Sequence, residues 1–351
     1  MQIRHKIQSL LAGLLAGAIL LAGSGCGDQR GEDKEAQTDG STTEQTSATE
    51  EKAPAEKERT VVTIDGTAVG EREFLYYFNR AKNDYDKGTS DYWTVNPEMK
   101  EILAHTALYY VQRNAALNAL AQSLGITLSD AEISQITAEL EQEISYYGGQ
   151  SAFESALESN GLDMNLYQRL AKLEKLEEKL LKAYIASGEI ADDDSKVLSI
   201  LQSDAFILCR HILLIPGADA DGAQTLKRAQ EVAARLAAGE DFVTLRDEYS
   251  DDINSPAEGE LFCRGYFSAA PMYEDACFAL PIGGSSEVIK TVFGYLIAER
   301  HDTAGYDFQT DFASLKEEYQ TAALELILRE KIDQQQLVRE ESVYEELTAF
   351  D

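Results

Sequence analysis

The spacing of apolar residues changes twice along this chain, and those two changes constrain the fold more than any other feature. Between about residues 74 and 184 apolar side chains recur three and four apart, the spacing of helix faces. Residues 206–215, FILCRHILLI, are then a nearly unbroken apolar run, and beyond Gly305 the three-and-four spacing returns. A helical stripe needs another helix or a sheet to cover it, whereas a short run that is apolar on both sides needs a strand buried on both faces. The chain is therefore expected to be α+β, with a compact sheet unit flanked on both sides in sequence by helices.

Within the first helical stretch, residues 61–64 and 67–69 flank Asp65-Gly66, a pair that supplies the positive φ of a tight hairpin turn. Phe74, Tyr77 and Phe78 open a helix, and Ile102, Leu103, Leu108, Val111, Leu117 and Leu120 mark another that Gly125 ends. Ser129 and Glu132 form a capping box ahead of Ile133, Ile136 and Leu140, and Gly148-Gly149 close that helix. Residues 153–157 make a short helix, and Leu166, Leu170, Leu173, Leu176 and Leu180 a long amphipathic one reaching Tyr184. The lone His105 is read as packed or solvated. Past Gly305, Phe308, Phe312, Leu315, Leu324, Leu326, Ile327 and Leu328 give a long helix whose apolar face needs a partner, either the first helical region or a second copy of the chain in a homodimer.

Ahead of all this lies a targeting signal. Arg4, His5 and Lys6 precede an apolar run over residues 10–22, too short for a bilayer span and suited to a secretory leader. The run stops at Gly23-Ser24-Gly25-Cys26, which resembles a bacterial lipobox, with Gly23 where that pattern usually has Leu. The resemblance implies a signal peptide over 1–25 and a lipid on Cys26, ordinary secretory cleavage nearby being the alternative. Residues 26–59 have no aromatic residue and read as an acidic disordered tether. The formal net charge of -31 excludes a phosphate-binding surface, so no nucleic acid is expected as partner. It suits a solvated surface outside the cytoplasm, and an acidic face could attract basic segments of unfolded chains. Cys209, Cys263 and Cys277 have no CxxC spacing and no His at ligand spacing, so neither metal nor cofactor is expected. One pair of them could form a disulfide; reduced, buried thiols are the favoured reading.

Two family resemblances follow from these segments. "VTIDGTAVGEREFLYYF" and "ALAQSLGITLSDAEI" resemble the strand pair and first helices of secreted chaperones of the SurA and PrsA type. "RHILL", "GEDFVTL", "EYSDD", "GEL", "RG", "YEDACFAL" and "VFGYLI" stand in the order and approximate spacing of a parvulin-type, PpiC or rotamase, peptidyl-prolyl isomerase domain. Together they imply a parvulin-like four-stranded sheet with surrounding helices, inserted in a mostly helical chaperone lobe. The implied segments are 60–204 for the helical region, 205–303 for the isomerase domain, and 304–351 for a C-terminal helix packing back on the first region.

The parvulin resemblance also implies a site. His211 matches the first of the family's two buried histidines, and Asp252 falls where parvulins place Cys or Asp beside the reacting bond. Phe267 and Tyr273 align with the residues that hold the proline ring, Phe262 lies with them, Phe278 looks like core behind them, and Leu296 stands where the family has its second histidine. His301 is five positions beyond Leu296, an odd offset that turns a strand residue to the opposite face. The implied function is a foldase that accelerates X-Pro isomerisation in exported, unfolded polypeptides, lipid-anchored to the bacterial cell membrane. Loss of the second histidine keeps open a non-catalytic holdase that uses the parvulin-like domain to bind peptides, and a scaffold binding one fixed partner is the third reading.

Overall fold

A computed structural model describes residues 58–86, 93, 99–216, 222–252, 255–267, 271–291 and 294–349. The leader, Cys26 and the tether as far as residue 57 lie outside the described residues. Among the described residues no helix is long and apolar enough to cross a membrane, and no group of three or more His, Cys, Asp or Glu is placed to hold a metal ion.

Strands β1 (Thr60–Ile64) and β2 (Thr67–Gly70) form the hairpin at Asp65-Gly66, whose φ values of 49° and 82° are both positive, as a type I′ turn demands. The helices α1 (Glu71–Asp86), α2 (Met99–Ser123), α3 (Asp130–Tyr146), α4 (Gln150–Ser159), α5 (Met164–Ser187) and α6 (Asp194–Leu201) follow. Both halves of the capping box at α3 are present: the Ser129 hydroxyl accepts from the Glu132 amide, and the Glu132 carboxylate accepts from the Ser129 amide. Then come β3 (Phe206–Leu214), α7 (Gly222–Ala237), α8 (Phe242–Tyr249), β4 (Glu260–Cys263), α9 (Pro271–Ala279), β5 (Ile289–Thr291) and β6 (Gly294–His301). The chain closes with α10 (Phe312–Ile332), β7 (Leu337–Arg339) and α11 (Glu341–Thr348).

Helix α2 is the axis of the helical lobe. Its Leu103, Val111 and Leu117 share one core with Phe74 and Tyr77 of α1, Leu170, Leu173 and Leu180 of α5, and Leu324 and Leu328 of α10. Helices cover α2 from several sides and leave its Arg113 side chain only 12% exposed. Arg113 is held by Glu177 of α5 at 2.6 Å and Glu325 of α10 at 2.8 Å, and Tyr109 donates to the same Glu325. A charge that far from water persists only when paired. Strand β7 pairs with β1 to complete a three-stranded sheet, β2-β1-β7, and the Asp65 carboxylate accepts from the Gln336 amide at 2.8 Å.

The second sheet is antiparallel throughout, in the order β4-β3-β6-β5. Strand β3 lies inside it and alternates between two buried surroundings. Ile207, Cys209 and Leu213 face α9 with Phe262, Tyr273 and Cys277, whereas Ile212 and Leu214 face α7 and α8 with Val232, Phe242 and Leu245. The residues nearest its start, Phe206 with Leu261 and Cys263 of β4, pack against Val197 and Leu201 of α6 and Leu315 and Ala322 of α10. Burial on both faces is why the run has almost no polar alternation. The whole is α+β, a small antiparallel sheet with helices on both sides and a larger helical lobe.

The sheet unit docks on α10 through backbone. Gly265, at φ 93°, presses the turn after β4 so close that a Cβ there would stand 2.3 Å from the Ala322 carbonyl oxygen. Gly265→Ala combines strain at positive φ with an overpacked contact, so it is expected to destabilise the chain by about 2 kcal/mol. A urea midpoint lowered accordingly, against a Gly283→Ala control where a Cβ meets nothing within 4 Å, checks this.

Candidate functional site

The site grows from the end of β3. His211 lies on the α9-facing side of that strand, placed by the period of two between Cys209 and Leu213. Its partner arrives on the segment after α8, which backbone hydrogen bonds fasten to β3. The Asp251 amide donates to the Leu213 carbonyl at 2.7 Å, the Leu213 amide to the Ser250 hydroxyl at 3.2 Å, and the Ile215 amide to the Asp251 carboxylate at 2.7 Å. Three bonds at one strand end leave little freedom to the next residue, Asp252. Its carboxylate stands 2.9 Å from His211 Nε2, and its other oxygen accepts from the Ser255 amide at 3.2 Å. A carboxylate can only accept, so Nε2 carries the hydrogen of this bond.

Buried polar atoms of this kind are retained where each has a partner. The Asp252 side chain is 1% exposed while His211 keeps 15%, so the imidazole is the member of the pair that reaches the surface. Tyr273 of α9 meets it edge to face at 5.9 Å. From there an aromatic wall continues: Phe267 lies 5.0 Å from Tyr273, 4.8 Å from Phe262 and 4.9 Å from Tyr266, all nearly perpendicular. Edge-to-face packing of this sort fixes ring positions by quadrupole as well as by area.

The expected site residues thus divide. His211, Asp252, Tyr273 and Phe267 are contiguous and end at a half-buried ring, Phe267. Phe262 has no exposed surface, so it backs the wall and presents nothing itself. Phe278 is half-buried and packs against the core beneath the wall, 6.0 Å from Phe262, with the Arg264 guanidinium 4.4 Å above its ring. Leu296 is buried opposite Leu213, and the residue directly opposite His211 on β6 is Ala298. The face of β6 that meets His211 is therefore aliphatic. His301 pairs in register with Leu208 and turns to the other side, 3.3 Å from Glu299.

Two groups escaped the sequence reading, Glu274 and Glu260, while Cys209 and Cys277 are the reduced, buried thiols expected from it. Glu274 of α9 is buried and accepts from the amides of Gly265 and Phe267, each at 2.9 Å, so it holds the loop that carries the wall. Glu260 shares the face of Phe262 on β4, opposite Cys209, and accepts from the Tyr266 hydroxyl at 3.2 Å. The alternation of β4 was the available signal, since residues 260 and 262 must point the same way. Cys209 and Cys277 lie beneath Tyr273, where the hydrogen bond with Cys209 and burial raise the Cys277 thiol above its usual range. A thiol held protonated is a packing group, not a nucleophile.

Burial pushes the Glu260 carboxyl up to about 7, and the charges of Glu318 and Asp252 push the same way against the Tyr266 hydrogen bond. The folded value lies above the ordinary 4.5, so the protonated form favours folding: that stability is complete below pH 4.5 and is lost as pH rises through about 7. Glu318 of α10, raised by its own burial, adds in the same direction. Stability is expected to fall between pH 5 and 8, and Glu260→Gln to flatten that part of the profile, as thermal melts across the range would show.

A histidine and carboxylate set at a strand end beside an aromatic wall, on a four-stranded antiparallel sheet, is the framework of a parvulin-type rotamase domain, and residues 211–302 match the family described as "Rotamase: PPIC-type PPIASE domain". The chain is 27% identical over 246 residues to the foldase protein PrsA of Caldanaerobacter subterraneus subsp. tengcongensis, an alignment covering 68% of this chain and 71% of that one. It is 35% identical over 103 residues to the chaperone SurA of Chromohalobacter salexigens, covering 29% of this chain and 24% of that one. Among solved structures, the peptidylprolyl isomerase PrsA of Bacillus anthracis is similar at 18% identity with a TM-score of 0.33, covering 62% of this chain and 94% of that one. Residues 211–302 are thus a PPIC-type rotamase domain, and the chain around them is similar to PrsA- and SurA-type proteins.

Proposed function

We propose that this chain is an extracytoplasmic foldase that accelerates cis/trans isomerisation of X-Pro bonds in unfolded exported proteins. The observation that carries the reading is the His211–Asp252 pair at 2.9 Å, set against an aromatic wall that ends in a half-exposed ring. An X-Pro bond rotates slowly because amide resonance imposes a barrier of about 18–20 kcal/mol, whereas its isomers differ little in energy. Loosening that resonance is enough. Phe267 would meet the proline ring, with the buried Tyr273 backing it at the edge next to His211, and an apolar wall disfavours the charge-separated planar amide relative to the twisted one. Asp252 orients the His211 ring, and the pair supplies a fixed dipole beside the carbonyl as it turns. No covalent intermediate enters this scheme.

In the same reading, residues 60–204 and 304–351 form one client-holding lobe into which the 205–303 domain is inserted, supported by the core that α10 and α11 share with α1, α2 and α5. A lipid on Cys26 would tie the chain to the membrane; incorporation of a lipid precursor by the wild type and its loss in Cys26→Ser tests that separately.

One observation favours a second reading. Leu296 and Ala298 give His211 no polar neighbour on β6, which suits a holdase whose parvulin-like domain binds peptide without turning it over. Isomerisation of a panel of prolyl tetrapeptides by the purified chain separates the two. Rate enhancement is expected, reduced at least about tenfold in His211→Ala and Asp252→Ala, the scale of one charge-assisted hydrogen bond. Suppression of client aggregation with no enhancement on any peptide would establish the holdase instead, and one tight stoichiometric partner without client breadth a scaffold.

A further inference from the structure

The proline-binding wall is held from outside its own unit. The Glu274 side chain, 1% exposed, spends one carboxylate oxygen on the amides of Gly265 and Phe267 and the other on the Arg329 guanidinium of α10 at 3.1 Å. Arg329 stands one helical turn beyond Glu325, the residue through which α10 holds Arg113 of α2. Ala322 and Leu326 of the same helix abut Gly265. One helix therefore grips the axis of the helical lobe and the loop that carries Phe267, through neighbouring charged contacts. A buried carboxylate without its cation either takes up a proton or turns toward water, and in both cases its grip on the two amides weakens.

We infer that Glu274 and Arg329 act as a positioning pair, through which the helical lobe sets the place of Phe267 and so the affinity of the site for a prolyl segment. The inference rests on the proposed function for its peptide ligand, yet the pair is measurable without turnover. Neither residue touches the reacting bond; both act through Phe267.

Hydrogen exchange at the Gly265 and Phe267 amides, with isomerisation and binding of a prolyl tetrapeptide, tests this on the full chain carrying Arg329→Met. Faster exchange confined to those amides is expected, with KM raised about tenfold and kcat changed by no more than about twofold, the reverse of the pattern expected from His211→Ala. Arg329→Gln keeps a hydrogen-bond donor without the charge; it should fall between Met and wild type, and it serves if the Met variant does not fold. Should the wild type bind the tetrapeptide without turning it over, the proposed isomerase fails while the inference stands or falls on the same tenfold change in Kd. Unchanged exchange at both amides overturns the inference, as does faster exchange with unaltered KM and Kd.

Discussion

The burial of β3 on both faces is the constraint on which the rest depends. A strand at the centre of a four-stranded sheet has no solvent side, so its two sets of alternate residues must each find a cover. One set finds α7 and α8; the other finds α9, and near the strand's start α6 and α10 close over what remains. His211 is tolerated in this setting because the segment after α8 is bonded to the same strand end and delivers Asp252. The candidate site is thus a by-product of how the strand is covered: the elements that bury β3 are the elements that carry its partners.

Helix α10 has a second role that follows from the same geometry. It belongs to the core of the helical lobe through Leu324 and Leu328, and to the cover of β3 through Leu315 and Ala322. Serving two cores, it cannot be apolar on one stripe alone, and two of its charged residues, Glu325 and Arg329, turn inward. Glu325 and Arg329 are each paired with a charge from a different unit, Arg113 and Glu274. Replacing Arg329 leaves Glu274 buried without its cation, which costs about 3–5 kcal/mol, whereas loss of Glu325 still leaves Arg113 with Glu177.

Much of this was legible in the residues. The apolar run with one histidine announced a doubly buried strand, the capping box placed the start of α3, and Asp65-Gly66 placed the hairpin. The parity argument on β6 put His301 on the far side from His211, where the register has it. What was illegible shares one cause: it is made by residues distant in sequence. Leu337–Arg339 is too short to show a period, and only the approach of β1 makes it a strand. The burial of Glu274 depends on a loop on one side and an arginine 55 positions away on the other. Arg264 covers the ring of Phe278 from a loop fourteen residues earlier, a contact that no spacing announces.

The three-stranded sheet carries a consequence for how the chain reaches this structure. Residues 60–64 pair on one side with a neighbour three residues away and on the other with residues 337–339. During synthesis the first partner is available at once and the second only after nearly everything between has been made. The four-stranded sheet, whose strands all lie between residues 206 and 301, closes over much shorter loops. The order of assembly then runs from the middle outward. The central sheet can be complete while the lobe that surrounds it still lacks α10, and the last step is the closing of that lobe around a finished insert.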